Sequence, residues 1–145
     1  MSYVIQLVHI VINTKNRKMT ITPEHKQDLY RYIWGIIKNR DCRLYRINGI
    51  GNHLHMLVGL HQSVSVMEIV RDIKRSSSLW AKDNSKFPSF EGWQKEYAAF
   101  SVSWKDKDSV ISYIRNQEEH HNTATFDEEH RQLLSEHEID EYNPQ

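Results

Sequence analysis

Two short segments, Arg43 to Asn48 and His53 to His61, are separated by the turn residues Asn48, Gly49, Gly51 and Asn52. That link suffices for a hairpin and is far too short for the crossover that parallel strands need, so the segments must pair antiparallel. Whatever the chain becomes, it is built around this central hairpin. Before it, Tyr3 to Asn13 is apolar and β-branched at most positions and reads as a strand buried on both faces, ending in the basic turn Lys15, Arg17, Lys18. Thr22 and Pro23 supply an N-cap and first-turn proline, after which Leu29, Ile33, Ile36 and Ile37 recur at helical spacing.

After the hairpin, Ser65 and Glu68 form a capping box for a second helix. Val66, Ile69, Ile73 and Trp80 mark one of its faces, and Arg71, Lys74, Arg75 and Ser78 share another. Residues Asn84 to Glu96 read as a loop pinned by Phe87, Phe90 and Trp93. Tyr97 to Trp104 then alternates Ala98, Phe100, Val102 and Trp104 against small residues, giving a fourth strand. Asp106 or Asp108 can cap a third helix through Val110, Ile114 and Gln117, and Phe126 to Ile139 can add a last one. The expected class is α+β: a ferredoxin-like (RRM-like) βαββαβ antiparallel sheet with helices on one face, plus a C-terminal helix carrying Tyr113. The open sheet face of that arrangement is a frequent nucleic-acid platform.

At 145 residues one domain accounts for the chain. Its net charge of zero conceals two halves: residues 1–117 hold 18 Lys and Arg against 10 Asp and Glu, or +8, while residues 118–145 hold nine acidic residues and one Arg, or −8. A basic body of 1–117 suits a phosphate-backbone ligand, with an acidic C-terminal segment beside it. No apolar run approaches the roughly 20 residues of a membrane span, and the N-terminus lacks a signal-peptide pattern, which points to the cytoplasm. The single cysteine, Cys42, can form no internal disulfide and is expected to be a packed thiol.

The chemistry-bearing stretch is Asn52-His53-Leu54-His55-Met56-Leu57-Val58-Gly59. On a strand, His53 and His55 share one face with Cα atoms about 7 Å apart, and two imidazoles so placed can converge on one cation; they can equally be a solvent-facing pair. Leu57 rules out a third histidine on the same strand. The third helix offers further candidates, because Tyr113 and Gln117 are four apart on one face while Ile111 and Ile114 can anchor it. A tyrosine hydroxyl, with an ordinary pKa of about 10, becomes a nucleophile where a cation and a phosphate favour the phenolate.

His53-Leu54-His55, the stretch from Trp93-Gln94 through Tyr97 to Phe100-Ser101-Val102-Ser103, and Tyr113-Ile114-Arg115-Asn116-Gln117 followed by His120-His121 resemble, in matching order, the single-tyrosine HUH transposases of small bacterial insertion sequences and REP-associated elements. The likeness runs over essentially the whole chain. It implies that His53 and His55 are metal ligands, Tyr113 the nucleophile and Gln117 the helix-borne third ligand, with His120 or His121 within reach if the helix continues. One departure is Glu96, where such proteins often have glycine.

The resemblance further implies Mg²⁺ or Mn²⁺, attack of Tyr113 on a scissile phosphate of single-stranded DNA, a 5′-phosphotyrosine intermediate that is later rejoined, and recognition of hairpin-forming element ends. It also implies a homodimer whose tyrosine helix serves the partner's site, with Lys105 to Asp108 as a hinge. Lys15, Arg17, Lys18, Arg71, Lys74 and Arg75 are the candidate DNA contacts. Two other functions fit the residues: a non-catalytic nucleic-acid-binding regulator, and a metal phosphodiesterase using water.

Overall fold

A computed structural model describes residues 2–119 and 126–136. Four strands form one antiparallel sheet: β1 (Leu7–Thr14), β2 (Arg43–Ile50), β3 (His53–Gly59) and β4 (Trp93–Val102). Their spatial order is β2-β3-β1-β4, so β3 and β1 are the inner strands, the two βαβ halves interleave, and the β2–β3 hairpin forms one side of the sheet. The helices are α1 (Lys26–Asn39), α2 (Val66–Lys82), α3 (Lys107–Arg115) and α4 (Phe126–Glu136). The fold is the expected α+β arrangement, and α3 is the added helix that carries Tyr113.

One sheet face packs under α1 and α2. Ile10, Ile12, Leu54, Met56 and Val58 from the sheet meet Leu29, Ile33 and Ile37 of α1 and Ile69 and Ile73 of α2. The helical spacing of those apolar residues is what makes each helix one-sided, and removing this surface from water is the main drive for the fold. Phe87 and Phe90 are buried in the same core, and Trp93 Nε1 donates to Ser77 Oγ at 2.9 Å, so the aromatics do pin the loop after α2. Cys42 is buried, as a packed thiol should be.

Several boundaries differ from the sequence expectation. β1 starts at Leu7 rather than Tyr3, because Leu7 pairs with Gly59 and with Val102, the last residues of both flanking strands. Upstream of Leu7 no strand remains to pair with, and Tyr3, Val4 and Ile5 are exposed. β4 begins earlier than expected, at Trp93, which pairs with Thr14 across a register shift. Thr22 does not cap α1: its hydroxyl donates to the Lys86 carbonyl at 3.0 Å, and the helix starts at Lys26. Ser65 does cap α2, accepting from the Glu68 N–H at 3.1 Å, while the Glu68 carboxylate pairs with Arg40 instead of closing the box.

The opposite sheet face is not an open platform. α3 seats Ile114 against Leu7 and Leu57, and Leu133 of α4 packs on Val11 and Phe100. The Asn48 side chain donates to the Arg115 carbonyl at 2.9 Å, tying the end of α3 to β2. Lys26 of α1 and Glu118 form an ion pair that holds the start of the acidic segment against the body and keeps the Glu118 carboxyl below its ordinary range. Among the described residues no helix is long and apolar enough to cross a membrane.

Candidate active site

β3 supplies the centre of the site. Its period of two sends Leu54, Met56 and Val58 under α1 and α2 and leaves His53, His55 and Leu57 on the face covered by α3 and α4. Both imidazoles are completely buried, so they are not a solvent-facing pair. A buried imidazole has to satisfy both ring nitrogens, and the partners of these two define the chemistry.

His53 Nδ1 lies 2.8 Å from the Asn52 side-chain oxygen. An amide oxygen only accepts, so Nδ1 carries hydrogen and His53 turns Nε2 inward. There Nε2 meets Gln117 Oε1 at 3.4 Å and Glu129 Oε1 at 3.6 Å. His55 Nε2 lies 2.6 Å from the same Glu129 oxygen, and its Nδ1 lies 2.8 Å from His9 Nε2. Two imidazole nitrogens, an amide oxygen and a carboxylate oxygen thus converge in a buried space.

Burial alone would raise the Glu129 carboxyl pKa. The His53 and His55 rings and the Tyr113 hydroxyl beside it outweigh burial and hold the group below the ordinary carboxylate range. Glu129 is therefore an anion at neutral pH. Lone pairs of His53, Gln117 and Glu129 facing one another are tolerable only with a proton or a cation between them. The donor set fits a divalent cation: the ligand atoms of His53, His55 and Glu129 all lie within 4.8 Å of one another. Mixed nitrogen and oxygen donors suit Mn²⁺ at least as well as Mg²⁺.

Tyr113 stands on α3 with its ring edge-on to His55, centroids 5.7 Å apart, and packs against Val11, Phe100 and Leu133. Its nearness to the histidines of its own chain means that no exchange between subunits is required to bring phenol and imidazoles together. α3 ends at Arg115, so Gln117 lies just past it, in a helical turn at 117–119. The side-chain amide of Gln117 still donates to the Tyr113 carbonyl at 3.4 Å, which aims its oxygen at His53. Of the residues expected at the site, His53, His55, Tyr113 and Gln117 are together; His120 and His121 lie outside the described residues.

Glu129 and His9 were not foreseen. Glu129 stands in a run of acidic residues that reads as a solvated helix face, and its one signal is Leu133, four residues on and on the same face. His9 stands inside an apolar strand and reads as a core residue.

The basic residues divide. Lys15, Lys74 and Arg75 line one groove of about 540 Å³ together with Lys82 and Lys95, between the turn after β1, α2 and the start of β4. Lys74 donates to the Lys95 carbonyl at 2.7 Å, and its partial burial lowers its pKa. Arg17 lines an adjoining groove with Asn13, Asn16 and Gln94, and Asn16 and Gln94 belong to both. That second groove reaches Val11 and Asn13, which pair with His55 and His53. Arg71 and Lys18 line neither groove: Arg71 lies 3.5 Å from Asp72, and Lys18 lies 3.6 Å from Glu91.

Residues 3–117 match the protein family described as "Transposase IS200 like". No curated protein matches the chain. Among solved structures, a Deinococcus radiodurans R1 protein provisionally classed as a transposase superposes with a TM-score of 0.63 at 22% identity, covering 81% of this chain and 95% of that one. A REP-associated tyrosine transposase bound to a REP hairpin superposes with a TM-score of 0.64 at 16% identity, covering 100% of this chain and 90% of that one. At such identities the two structures establish the shared fold.

Proposed function

The chain belongs to the IS200-like transposase family, and from that premise we propose that it cleaves and rejoins single-stranded DNA through a covalent link to Tyr113. The observation that carries this reading is the convergence of His53, His55, Gln117 and Glu129 beside the Tyr113 ring, all within one chain. His53, His55 and Gln117 hold Mg²⁺ or Mn²⁺, and Glu129 adds a fourth donor. When bound, the cation supplies a Lewis acid and a template for the scissile phosphate.

Tyr113 is the nucleophile. Attack forms a bond from its Oη to phosphorus, breaks the bond from phosphorus to the 3′ oxygen, and leaves a 5′-phosphotyrosine and a free 3′-hydroxyl. The phosphotyrosine keeps the bond energy for rejoining, so no nucleoside triphosphate is consumed. Packing against Val11, Phe100 and Leu133 holds the phenol ring at a fixed place beside the histidines and limits water around it. Single-stranded DNA from hairpin-forming element ends enters along the two joined grooves, with Lys15, Lys74 and Arg75 neutralising phosphates and Arg17 nearer the site. Arg71 and Lys18 contribute long-range attraction. As in the family resemblance, we take the working form to be a homodimer, with the tyrosine helix able to exchange about residues 105–108.

The test is incubation of the protein with single-stranded oligonucleotides from its own flanking repeats and Mn²⁺, followed by denaturing electrophoresis. A protein–DNA adduct that Tyr113→Phe abolishes is expected. DNA binding without an adduct would make the chain a regulator, and cleavage that survives Tyr113→Phe but not His55→Ala would make water the nucleophile.

A further inference from the structure

His9 is a buried imidazole to which the proposed chemistry gives no task. It sits on β1 opposite Leu57, diagonal to His55 across the β1–β3 ladder, and its Nε2 lies 2.8 Å from His55 Nδ1. The two rings are 5.0 Å apart at centroids and tilted by 38°. Phe100 and Tyr113 stand edge-on to His9 at 6.1 and 6.0 Å, so aromatic walls limit how far its ring can turn.

We infer that His9 is a positioning residue, whose Nε2 accepts a hydrogen bond from His55 Nδ1 and so fixes the tautomer and ring angle that point the His55 Nε2 lone pair into the site. The inference rests on the metal-binding reading above. A neutral imidazole carries one proton on either nitrogen, and only the Nδ1–H form leaves Nε2 able to bind a cation. Both rings are buried, so water is not on hand to hold that proton in place of His9. His53 has the same device from another source, since the Asn52 side-chain oxygen accepts from its Nδ1. Each ligand imidazole therefore has its own acceptor on the ring nitrogen facing away from the site, one from the hairpin turn and one from the neighbouring strand. Such outer partners orient ligands and raise their basicity.

The test compares His9→Gln, whose side-chain oxygen can still accept, with His9→Leu, which fills space but cannot. Mn²⁺ affinity is measured by titration calorimetry, the His55 ring nitrogens by ¹⁵N NMR of the Zn²⁺-loaded and metal-free proteins, and folding by thermal unfolding without metal. His9→Leu is expected to weaken Mn²⁺ binding by about tenfold or more and to shift the His55 Nδ1 resonance, while His9→Gln stays near wild type in both. An unchanged affinity and spectrum in His9→Leu would overturn the inference, as would an equal loss in both variants, which would leave only ring packing. If the wild type binds no Mn²⁺, the metal reading fails separately. The metal-free spectrum then decides the His9 contact alone: a His55 Nδ1 shift in His9→Leu but not in His9→Gln sustains it, and no shift refutes it.

Discussion

Glu129 Oε1 lies 2.6 Å from His55 Nε2, although 74 residues separate them in the chain. This contact brings an acidic segment onto the histidine pair and gives the site a negative charge. Glu129→Gln keeps the shape and removes the charge. Mn²⁺ affinity should fall by roughly tenfold or more, as for other losses of charge around a bound ion. Calorimetric titration checks this, and tighter binding in the variant would show Glu129 to be a competitor for the ion's place.

Gly49 lies opposite Leu54 in the hairpin, and a Cβ there would stand 2.1 Å from the His53 carbonyl oxygen. Backbone cannot yield as a flexible side chain can, so Gly49→Ala must displace the start of β3. A loss of about 1–3 kcal/mol in denaturant unfolding is expected, typical of overpacking. Because the displaced residue is His53, one of the proposed ligands, Mn²⁺ binding should weaken as well.

Asp28 on α1 accepts from Lys86 at 2.7 Å and from Arg31 at 3.0 Å, and the Lys86 contact does most to hold its carboxyl below the ordinary range. A carboxylate with a lowered pKa in the folded state adds stability above its unfolded pKa and loses it as pH falls through the folded one. The melting temperature of Asp28→Asn should therefore lie below wild type at neutral pH, with the gap closing on acidification below the carboxylate range. A gap that persisted in acid would assign the loss to shape instead of charge.

Lys74 and Arg75 line the larger groove and Arg71 does not. Lys74→Ala and Arg75→Ala should each reduce the slope of log affinity against log salt by about one for single-stranded DNA, and Arg71→Ala by much less. Fluorescence anisotropy at several salt concentrations decides it; equal slopes for all three would remove the groove from the DNA path.

Much of this was legible in order. The turn from Asn48 to Asn52 determines the hairpin, the helical spacing of Leu29, Ile33 and Ile37 and of Ile69 and Ile73 determines which faces are buried, and the period of two along β3 places His53 and His55 together. These are local periodicities, set by the geometry of one element, and they survive whatever the element packs against. Tyr113 and Gln117 share a side for the same reason, even though α3 stops between them.

What lay beyond the sequence is register and docking. Whether His9 faces His55 or the core depends on how β1 is aligned with β3, and a slip of one residue would turn its ring to the other face. Glu129 reaches the histidines only because Leu133 seats α4 on Val11 and Phe100, burying a carboxylate that its acidic neighbours make look solvated. Strand alignment and helix seating are settled by the sum of many contacts between distant segments, so tertiary structure alone decided which residues complete the site.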